Sequence, residues 1–459
     1  MNFNDSEIVL GILHSAGYHR VHQRDEASIA MLMTCAIREG AESKIWQRID
    51  ELASLRRKNR PLTIAVLGCM AERLKEKLLE KGKVNLVCGP DAYKDLPRLL
   101  DNLSLSNGCS INTQLSLEET YADVAGVRLN PQAKSAFVSI MRGCNNMCAF
   151  CIVPFVRGRE RSKPLAAVMR EIERLHQEEG VLEVVLLGQN VNSYQGDISG
   201  IEETVPPART ANSQRFAPGF TSIFRRELQP NTATFAQLLD VLSAKFPNIR
   251  FKFTSPHPKD FPLELLQLIS ERQNICNHIH LPAQSGSSSV LERMRRGYDR
   301  SAYLQLVETI HKTIPQVTLS SDFIVGFCGE SAEEHKDSLD LIKEVPFDMA
   351  FMFSYSMREK THAHRTLEDS VPEQVKSERL REMQDLFYSL QVKRTQEKYL
   401  GSLVSVLVEG PSKKNPNQWM GMSENNRPVV FEASGDPSGT IVSLRVIGSK
   451  GGTLIGQIE

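Results

Sequence analysis

Two series of apolar, strand-like runs alternate with helical segments along most of this chain of 459 residues. In the first series the runs are 27–35, 61–69 and 83–89, and a segment with helical periodicity follows each run. Strands that are separated by helices form parallel sheets, because each crossover helix returns the chain to the same end of the sheet. We therefore predict an N-terminal parallel α/β domain of Rossmann-like type over residues 1–128.

The second series extends over residues 134–372 and contains six candidate strands. Six βα units predict a partial βα barrel, whose catalytic residues lie at the carboxyl ends of the strands. An insert at 198–233 is rich in Pro, Ser, Thr and Arg and has no hydrophobic period, so we expect a mobile surface loop that the chemistry does not need. The six runs are 136–144, 182–190, 250–256, 278–286, 318–327 and 350–356.

The last part of the chain changes character. Residues 373–400 form a long, charged, amphipathic pattern that predicts a connector helix. After it, residues 401–459 contain short β-like runs with turn residues between them. This pattern predicts a small antiparallel β-barrel as a third domain.

Composition excludes several classes of protein. The 55 basic and 55 acidic residues balance, so a nucleic acid would have to be bound by local basic patches. No apolar run approaches the ~20 residues of a membrane-spanning helix, so we expect no membrane partner. Nine cysteines are an odd number, with spacings unlike a disulfide framework. This favours a reducing compartment and thiols that bind metal.

Three cysteines are concentrated in one short segment. Cys144, Cys148 and Cys151 have the spacing C-x3-C-x2-C at the end of the first predicted barrel strand. A [4Fe–4S] cluster has four irons, so three thiolates would leave one iron open for a substrate or cofactor. A zinc site with a fourth ligand elsewhere, or chance clustering, would also explain the spacing. The position at a barrel strand end favours a catalytic cluster.

Two further cysteines occupy equivalent places in the first domain. Cys35 and Cys69 each end a predicted strand and begin the following helix. Carboxyl ends of parallel strands meet at one edge of the sheet, which is where ligands bind. We therefore expect the two thiols to lie close together and to face the mouth of the barrel.

Long segments of the chain resemble MiaB-type tRNA methylthiotransferases, a branch of the radical S-adenosylmethionine (SAM) enzymes. The resemblance implies an N-terminal methylthiotransferase domain, a radical SAM core and a C-terminal TRAM domain. SMREKT, GFCGE and the insert resemble the eukaryotic subgroup named for the regulatory subunit of cyclin-dependent kinase five. The other matching segments are RGCNNMCAFCIVPFVRGRERS, LLGQNVNSY, FTSPHP, HLPAQSGSSSVLERMRRGY, SSDFIVGF and FSYSMREKT.

The resemblance implies an enzyme that methylthiolates C2 of N6-isopentenyladenosine beside the anticodon of tRNA. The C–H bond at C2 is unactivated, so a radical derived from SAM is needed, and the cofactor carries that chemistry. The catalytic thiolates would be those of Cys144, Cys148 and Cys151. By the same resemblance, Gly188, Gln189 and Asn190 would lie beside the SAM methionine, and Gln284, Ser285 and Gly286 beside its ribose and adenine. Ordinary turn chemistry is the alternative explanation for each of these six strand-end residues.

The resemblance also implies a second [4Fe–4S] cluster, held by three cysteines of the first domain. Cys35 and Cys69 match two of them, and the third would precede Met1 in a C-x-M-N stretch. We therefore expect an N-terminus that lacks the first strand, the first ligand and any visible targeting segment. A late start of the sequence and a true isoform both remain open. Relatives of this subgroup imply a mitochondrial or cytoplasmic location.

Basic residues near the predicted site suggest contacts with RNA phosphates, although a solvated charged face would look the same. The resemblance implies the tRNA anticodon stem-loop, a flavodoxin- or ferredoxin-like electron donor and a kinase-activator protein as partners. Sister methylthiotransferases, which act on threonylcarbamoyl-adenosine in tRNA or on a ribosomal protein, remain an alternative, as does a non-catalytic regulator. The RNA candidates are Arg157, Arg159, Arg161, Lys413 and Lys414, with four more basic residues in 293–300.

Overall fold

The computed structural model describes residues 1–36, 39–56, 62–106, 108–207, 219–221 and 229–459. Its first strands are β1 Ile29–Thr34, β2 Thr63–Gly68, β3 Leu86–Cys88 and β4 Ser110–Asn112, and its first helices are α1 Asn2–Ser15, α2 Glu39–Arg56, α3 Cys69–Leu74 and α4 Leu96–Ser106. The strands form one parallel sheet in the order β1-β2-β3-β4. Three strands match the predicted runs. β4 is an addition, because three residues in a polar stretch carry no hydrophobic pattern.

Both faces of this sheet are buried, as parallel sheets require. Ala65 and Leu67 pack with residues of α1 and α4 on one face. Ile64 and Val66 pack with residues of α2 and α3 on the other face. The N-terminal domain is therefore a layer of strands between two layers of helices, as predicted.

The second domain is the predicted partial barrel. Its strands are β5 Ser135–Ser139, β6 Met141–Arg142, β7 Arg161–Ser162, β8 Glu183–Leu187, β9 Gln195–Asp197, β10 Thr232–Thr234, β11 Arg250–Phe253, β12 His278–His280, β13 Thr318–Val325 and β14 Met349–Ser354. Two parallel sheets, β11-β8-β5 and β12-β13-β14, form an arc that a bridge between Phe251 and Ile275 connects. All six predicted strands are present, and the outer strands β5 and β14 leave the barrel open on one side.

Long helices cover the outer surface of this arc. They are α6 Leu165–Glu179, α7 Phe235–Lys245, α8 Leu263–Glu271, α10 Arg300–Thr313, α11 Ala332–Glu344 and α13 Glu373–Tyr399. The short helices α5 Val153–Val156, α9 Ser288–Arg293 and α12 His362–Thr366 lie near the cysteine loop instead. Residues of β8 and β11 such as Val184, Leu186, Phe251 and Phe253 belong to the core beneath the helices. Because side chains alternate along a strand, Glu183 and Lys252 face the interior of the barrel.

The ends of the insert are packed parts of the fold. β9 and β10 pair antiparallel at its base, and Ile198 and Val205 pack against the barrel core. Phe220 is buried, with its ring centroid 5.3 Å from that of Tyr298. The remainder, 208–218 and 222–228, lies outside the described residues, and with it most of the expected mobile loop.

The third domain is a closed barrel of β15 Leu403–Pro411, β16 Trp419–Ser423, β17 Pro428–Phe431, β18 Ile441–Lys450 and β19 Thr453–Ile458. β17 and β19 pair in parallel, so the barrel is not wholly antiparallel as predicted. β19 runs antiparallel to β18 on one side and parallel to β17 on the other, and this second pairing closes the barrel. No helix in the described part of the chain is long and apolar enough to cross a membrane. The exact domain boundaries remain predictions.

Candidate active site

The three clustered cysteines lie in a loop that begins and ends in a small hairpin. β6 and β7 pair antiparallel, and the loop leaves β6 at Gly143, whose φ is +75°. A Cβ atom at Gly143 would lie 2.0 Å from the carbonyl oxygen of Arg159. Only glycine combines this backbone angle with so close an approach. The hairpin thus holds the Cys144 end of the loop beside Gly158, whose carbonyl accepts the Cys144 N–H at 3.2 Å.

Two donors surround the Cys148 thiol. Arg296 Nη1 donates to Cys148 Sγ at 3.2 Å, and His257 Nε2 lies 3.9 Å from the same sulfur. Burial, helped by Arg296 and Lys259, lowers the pKa of His257 well below its ordinary value, so its ring is neutral. Its Nδ1 accepts the Lys259 backbone N–H at 3.3 Å, which leaves the proton on Nε2, towards the sulfur. Both groups therefore stabilise negative charge on Cys148.

The loop has the chemistry of a cluster site. Cys144 and Cys148 are buried, Cys151 is half-buried, and all three are free thiols. Burial, together with Glu160 and the other two cysteines, raises the pKa of Cys144. Such thiols lose their protons when a metal binds. Among the described residues no three His, Cys, Asp or Glu side chains converge on a single ion. A cubane spreads its ligands over several irons, so three neighbouring thiols fit a cluster.

The end of β8 supplies polar groups beside this loop. Gln189 Oε1 is buried and receives no hydrogen bond from the described residues, so it is open to a ligand's N–H. Asn190 is held in place, with its Nδ2 donating to Asp260 Oδ2 at 2.8 Å. Its Oδ1 accepts the His257 backbone N–H at 3.2 Å. A Cβ at Gly188 would lie 2.5 Å from Met141 Cγ, so Gly188 permits the close packing of β6.

The ends of β11 and β12 carry strained backbone. Ser255 and Gln284 have φ values of +60° and +72°, which non-glycine residues seldom adopt outside constrained sites. Ser285 and Gly286 are held by α11 instead. The Ser338 hydroxyl accepts the Gly286 N–H at 2.9 Å and lies 3.2 Å from Ser285 Oγ. Turn packing accounts for these two residues, and their contact with SAM remains a prediction.

The structure places Cys35 and Cys69 at the same edge of the first sheet. Each follows one member of the register pair Thr34 and Gly68 in adjacent parallel strands. Cys69 packs with Ala36 and with Ile152, the neighbour of Cys151. This edge therefore faces the cysteine loop of the barrel, as the sequence predicts.

Arg157 connects the two cysteine regions. Its Nε donates to Cys69 Sγ at 3.2 Å, and its Nη2 donates to Asp5 Oδ2 at 2.6 Å. Arg142 Nη1 donates to the other oxygen of Asp5 at 2.9 Å. Burial alone would raise the pKa of Asp5, but the two guanidinium groups lower it to about 2. Arg157 Nη1 is buried without a partner among the described residues, which suits an anionic ligand beside Cys69.

The RNA contacts predicted for Arg157 and Arg161 are wrong. Both side chains are buried, and Arg161 Nη2 lies 2.9 Å from Asp91 Oδ1 in the first domain. They join the first two domains through these ion pairs, and side chains buried in that contact cannot reach the phosphates of an RNA. Arg159, Lys413 and Lys414 are exposed and remain candidates.

Sequence reasoning did not single out three of these residues. Asp5 is an ordinary residue of an N-terminal helix, and nothing local marks its burial. His257 belongs to the segment FTSPHP, and Arg296 is one of the four basic residues in 293–300. A signal existed for His257, because it follows β11, whose carboxyl end is predicted to form the site, whereas Arg296 lies beyond α9. Their convergence on Cys148 required the tertiary structure.

Comparison with known proteins agrees with the three-domain architecture. Residues 138–342 match the radical SAM superfamily, and residues 397–458 match the TRAM domain. Residues 1–89 match the uncharacterized protein family UPF0004. The three matches fall in the first α/β domain, the partial barrel and the small closed barrel.

Relatives with similar sequences cover nearly all of this chain. A CDK5RAP1-like protein of Oryza sativa subsp. japonica is 52% identical over 446 residues, which are 94% of this chain and 73% of the relative. The mitochondrial tRNA methylthiotransferase CDK5RAP1 of Homo sapiens is 49% identical, over 94% of this chain and 73% of its own. The tRNA-2-methylthio-N(6)-dimethylallyladenosine synthase of Chloroherpeton thalassium is 45% identical, over 100% of this chain and 93% of its own. The chain therefore belongs to the tRNA methylthiotransferase family of radical SAM enzymes, in the group of the CDK5RAP1 proteins.

Proposed function

We propose that this protein methylthiolates C2 of N6-isopentenyladenosine, also called N6-dimethylallyladenosine, beside the anticodon of tRNA. One observation carries the proposal: a buried loop with three thiols at the end of the first barrel strand, in a chain closely related to enzymes named for this reaction. The Chloroherpeton thalassium relative is named for the dimethylallyl base, which favours this reaction over the sister reactions on threonylcarbamoyl-adenosine and on a ribosomal protein.

The thiols of Cys144, Cys148 and Cys151 would hold a [4Fe–4S] cluster that, when bound, supplies the electron for reductive cleavage of SAM. Arg296 and His257 stabilise the Cys148 thiolate through the contacts of 3.2 and 3.9 Å. Gln189 offers its buried Oε1 to the SAM amino group. Asn190 keeps the His257 backbone in position.

A second cluster would be bound at the edge of the first sheet. Cys35 and Cys69 are its ligands within this chain, and Arg157 contributes positive charge beside Cys69 through the bond of 3.2 Å. Two thiolates beside a positive guanidinium suit an iron–sulfur cluster, which would carry the sulfur to be inserted. The nearness of Cys69 to Ile152 would keep that sulfur close to the site of radical formation.

The remaining proposals concern partners and location. Exposed Arg159, Lys413 and Lys414 would contact phosphates of the anticodon stem-loop. A flavodoxin- or ferredoxin-like protein would supply electrons. Relatives named as mitochondrial favour a mitochondrial location. A kinase-activator protein is a further proposed partner.

The test uses protein reconstituted anaerobically with iron and sulfide, reduced, and supplied with SAM and an isopentenylated anticodon stem-loop RNA. We expect 5′-deoxyadenosine and a 2-methylthio nucleoside by mass spectrometry. Cys148→Ala should lose both products, whereas Cys109→Ala, at the exposed thiol directly before β4, should keep both. Wild-type levels of 5′-deoxyadenosine from Cys148→Ala would refute the cluster assignment. Absence of the methylthio nucleoside with the intact protein would refute the activity.

A further inference from the structure

The insert contacts the barrel a second time near its middle, at residues 219–221. They lie against the segment that joins α9 to α10, where the Thr221 N–H donates to the Gly297 carbonyl at 2.7 Å. Gly219 and Gly297 have φ values of +83° and +75°. A Cβ atom at Gly219 would lie 2.8 Å from Ala302 Cβ, and one at Gly297 would lie 2.3 Å from the Thr221 carbonyl oxygen. Glycine is needed on both sides, so the two segments are fitted closely to each other.

Phe220 fills the centre of this contact. Its side chain is 7% exposed and belongs to the core of the barrel. Its ring centroid lies 5.3 Å from that of Tyr298, with 49° between the ring planes. Residues 219–221 belong to no helix or strand, so tertiary contacts hold the Phe220 ring in place. The ring in turn limits where Tyr298 can lie.

Tyr298 carries this contact inward to the two groups beside Cys148. Its hydroxyl accepts the Arg296 Nε–H at 3.1 Å and donates to the Pro282 carbonyl at 3.1 Å. Its ring centroid lies 5.5 Å from the Arg296 guanidinium carbon and 6.0 Å from the centroid of His257. Arg296 Nη1 and His257 Nε2 are the atoms that lie 3.2 and 3.9 Å from Cys148 Sγ. Tyr298 therefore supports both neighbours of the Cys148 thiol.

We propose that Phe220 is a positioning residue, which packs on Tyr298 and so keeps Arg296 and His257 against Cys148. This inference rests on the proposed function, because it needs a [4Fe–4S] cluster at the three thiols. Hydrogen-bond donors and positive charge beside a ligating sulfur favour the reduced form, which carries one more negative charge, and so raise the reduction potential. Without the Phe220 ring, Tyr298 can move into the space left behind, and both donors then withdraw from the sulfur. The reduction potential should fall.

The test is a redox titration of the whole chain, reconstituted anaerobically without SAM and followed by electron paramagnetic resonance. We expect Phe220→Ala to lower the ratio of reduced to oxidised cluster about tenfold at a fixed potential, which is a shift of about 59 mV to a more negative value. Phe220→Leu keeps most of the apolar volume, so it should fold readily and lower the ratio less, about threefold. Tyr298→Phe keeps the ring but loses the hydroxyl that accepts from Arg296, and should also lower the potential.

Phe246→Ala is the matched control. Phe246 is also 7% exposed and belongs to the same core, but it precedes β11, at the opposite end of the strand from His257. Both alanine variants should lower the temperature of unfolding, because each leaves a cavity. Only Phe220→Ala should change the reduction potential, which separates positioning from a general loss of stability.

Two results would overturn the inference. One is a wild-type potential in Phe220→Leu together with Phe220→Ala, or in Phe220→Leu alone if Phe220→Ala does not fold. The other is an equal shift in Phe246→Ala, since Phe220 would then act only through stability. Failure of the proposed function is recognised separately, because a wild-type chain that holds no cluster after reconstitution would refute both, whereas a wild-type cluster with unshifted Phe220 variants would refute this inference alone.

Discussion

Asp5 connects the first domain with the barrel through two buried ion pairs. It is fully buried and paired with Arg142 and Arg157, both of which are also buried. The difference between its ordinary pKa of 3.8 and about 2 corresponds to about 2 kcal/mol of folded-state stability. Removing the charge also leaves two guanidinium groups without their carboxylate, which costs about 3–5 kcal/mol in buried pairs. We expect Asp5→Asn to destabilise the first domain by about 2–5 kcal/mol.

Fluorescence can follow this domain alone. The chain has two tryptophans, Trp46 in the first domain and Trp419 in the C-terminal barrel. In a Trp419→Phe background, urea unfolding monitored through Trp46 gives the loss of stability directly. The matched control is Glu51→Gln, which breaks the exposed pair with Arg48 and should cost less than about 1 kcal/mol.

The stability that Asp5 contributes should depend on pH. Because the folded-state pKa of Asp5 is lowered, its contribution is fully present above pH 3.8 and is lost as the pH falls towards 2. At neutral pH Asp5→Asn should therefore show its full effect, and the difference from wild type should shrink in acid. Equal unfolding midpoints for Asp5→Asn and wild type at neutral pH would refute the reasoning, because the buried pair would then contribute nothing.

Three further predictions concern other sites. Burial raises the pKa of Glu72 to about 7, although Lys75 opposes the shift. The free energy of unfolding should therefore fall as the pH rises from 4.5 through 7, and the urea midpoint of Glu72→Gln should not show this dependence on pH. Arg427→Ala removes the bond of 2.7 Å to the Asp348 carbonyl, costs about 1–3 kcal/mol and should speed release of the C-terminal barrel in limited proteolysis. Gly143→Ala should lower iron incorporation, measured by metal analysis, whereas Gly435→Ala, also at positive φ but with no atom near its Cβ position, should not.

The position of much of the candidate site could be predicted from the sequence, because its residues occupy the ends of strands with clear hydrophobic patterns. Cys144, Gln189 and Gln284 follow β5, β8 and β12 closely, so recognising the strands was enough to bring them to one rim. The basic residues could not be assigned in this way. Arg157 and Arg161 stand in a run that resembles a phosphate-binding surface, and only the packing of the first domain against the loop shows that they are buried.

The sequence by itself determined the secondary structure and the local motifs. The alternation of apolar runs and helical segments determined the parallel sheets, and the spacing of Cys144, Cys148 and Cys151 determined a loop with three thiols, because both patterns depend on neighbouring residues. The tertiary structure alone decided which charges are buried together. Asp5 and Arg157 are 152 residues apart in the chain, and Arg296 and Cys148 are 148 apart. No local pattern records such pairs, since their partners are chosen only when separate elements pack and exclude water.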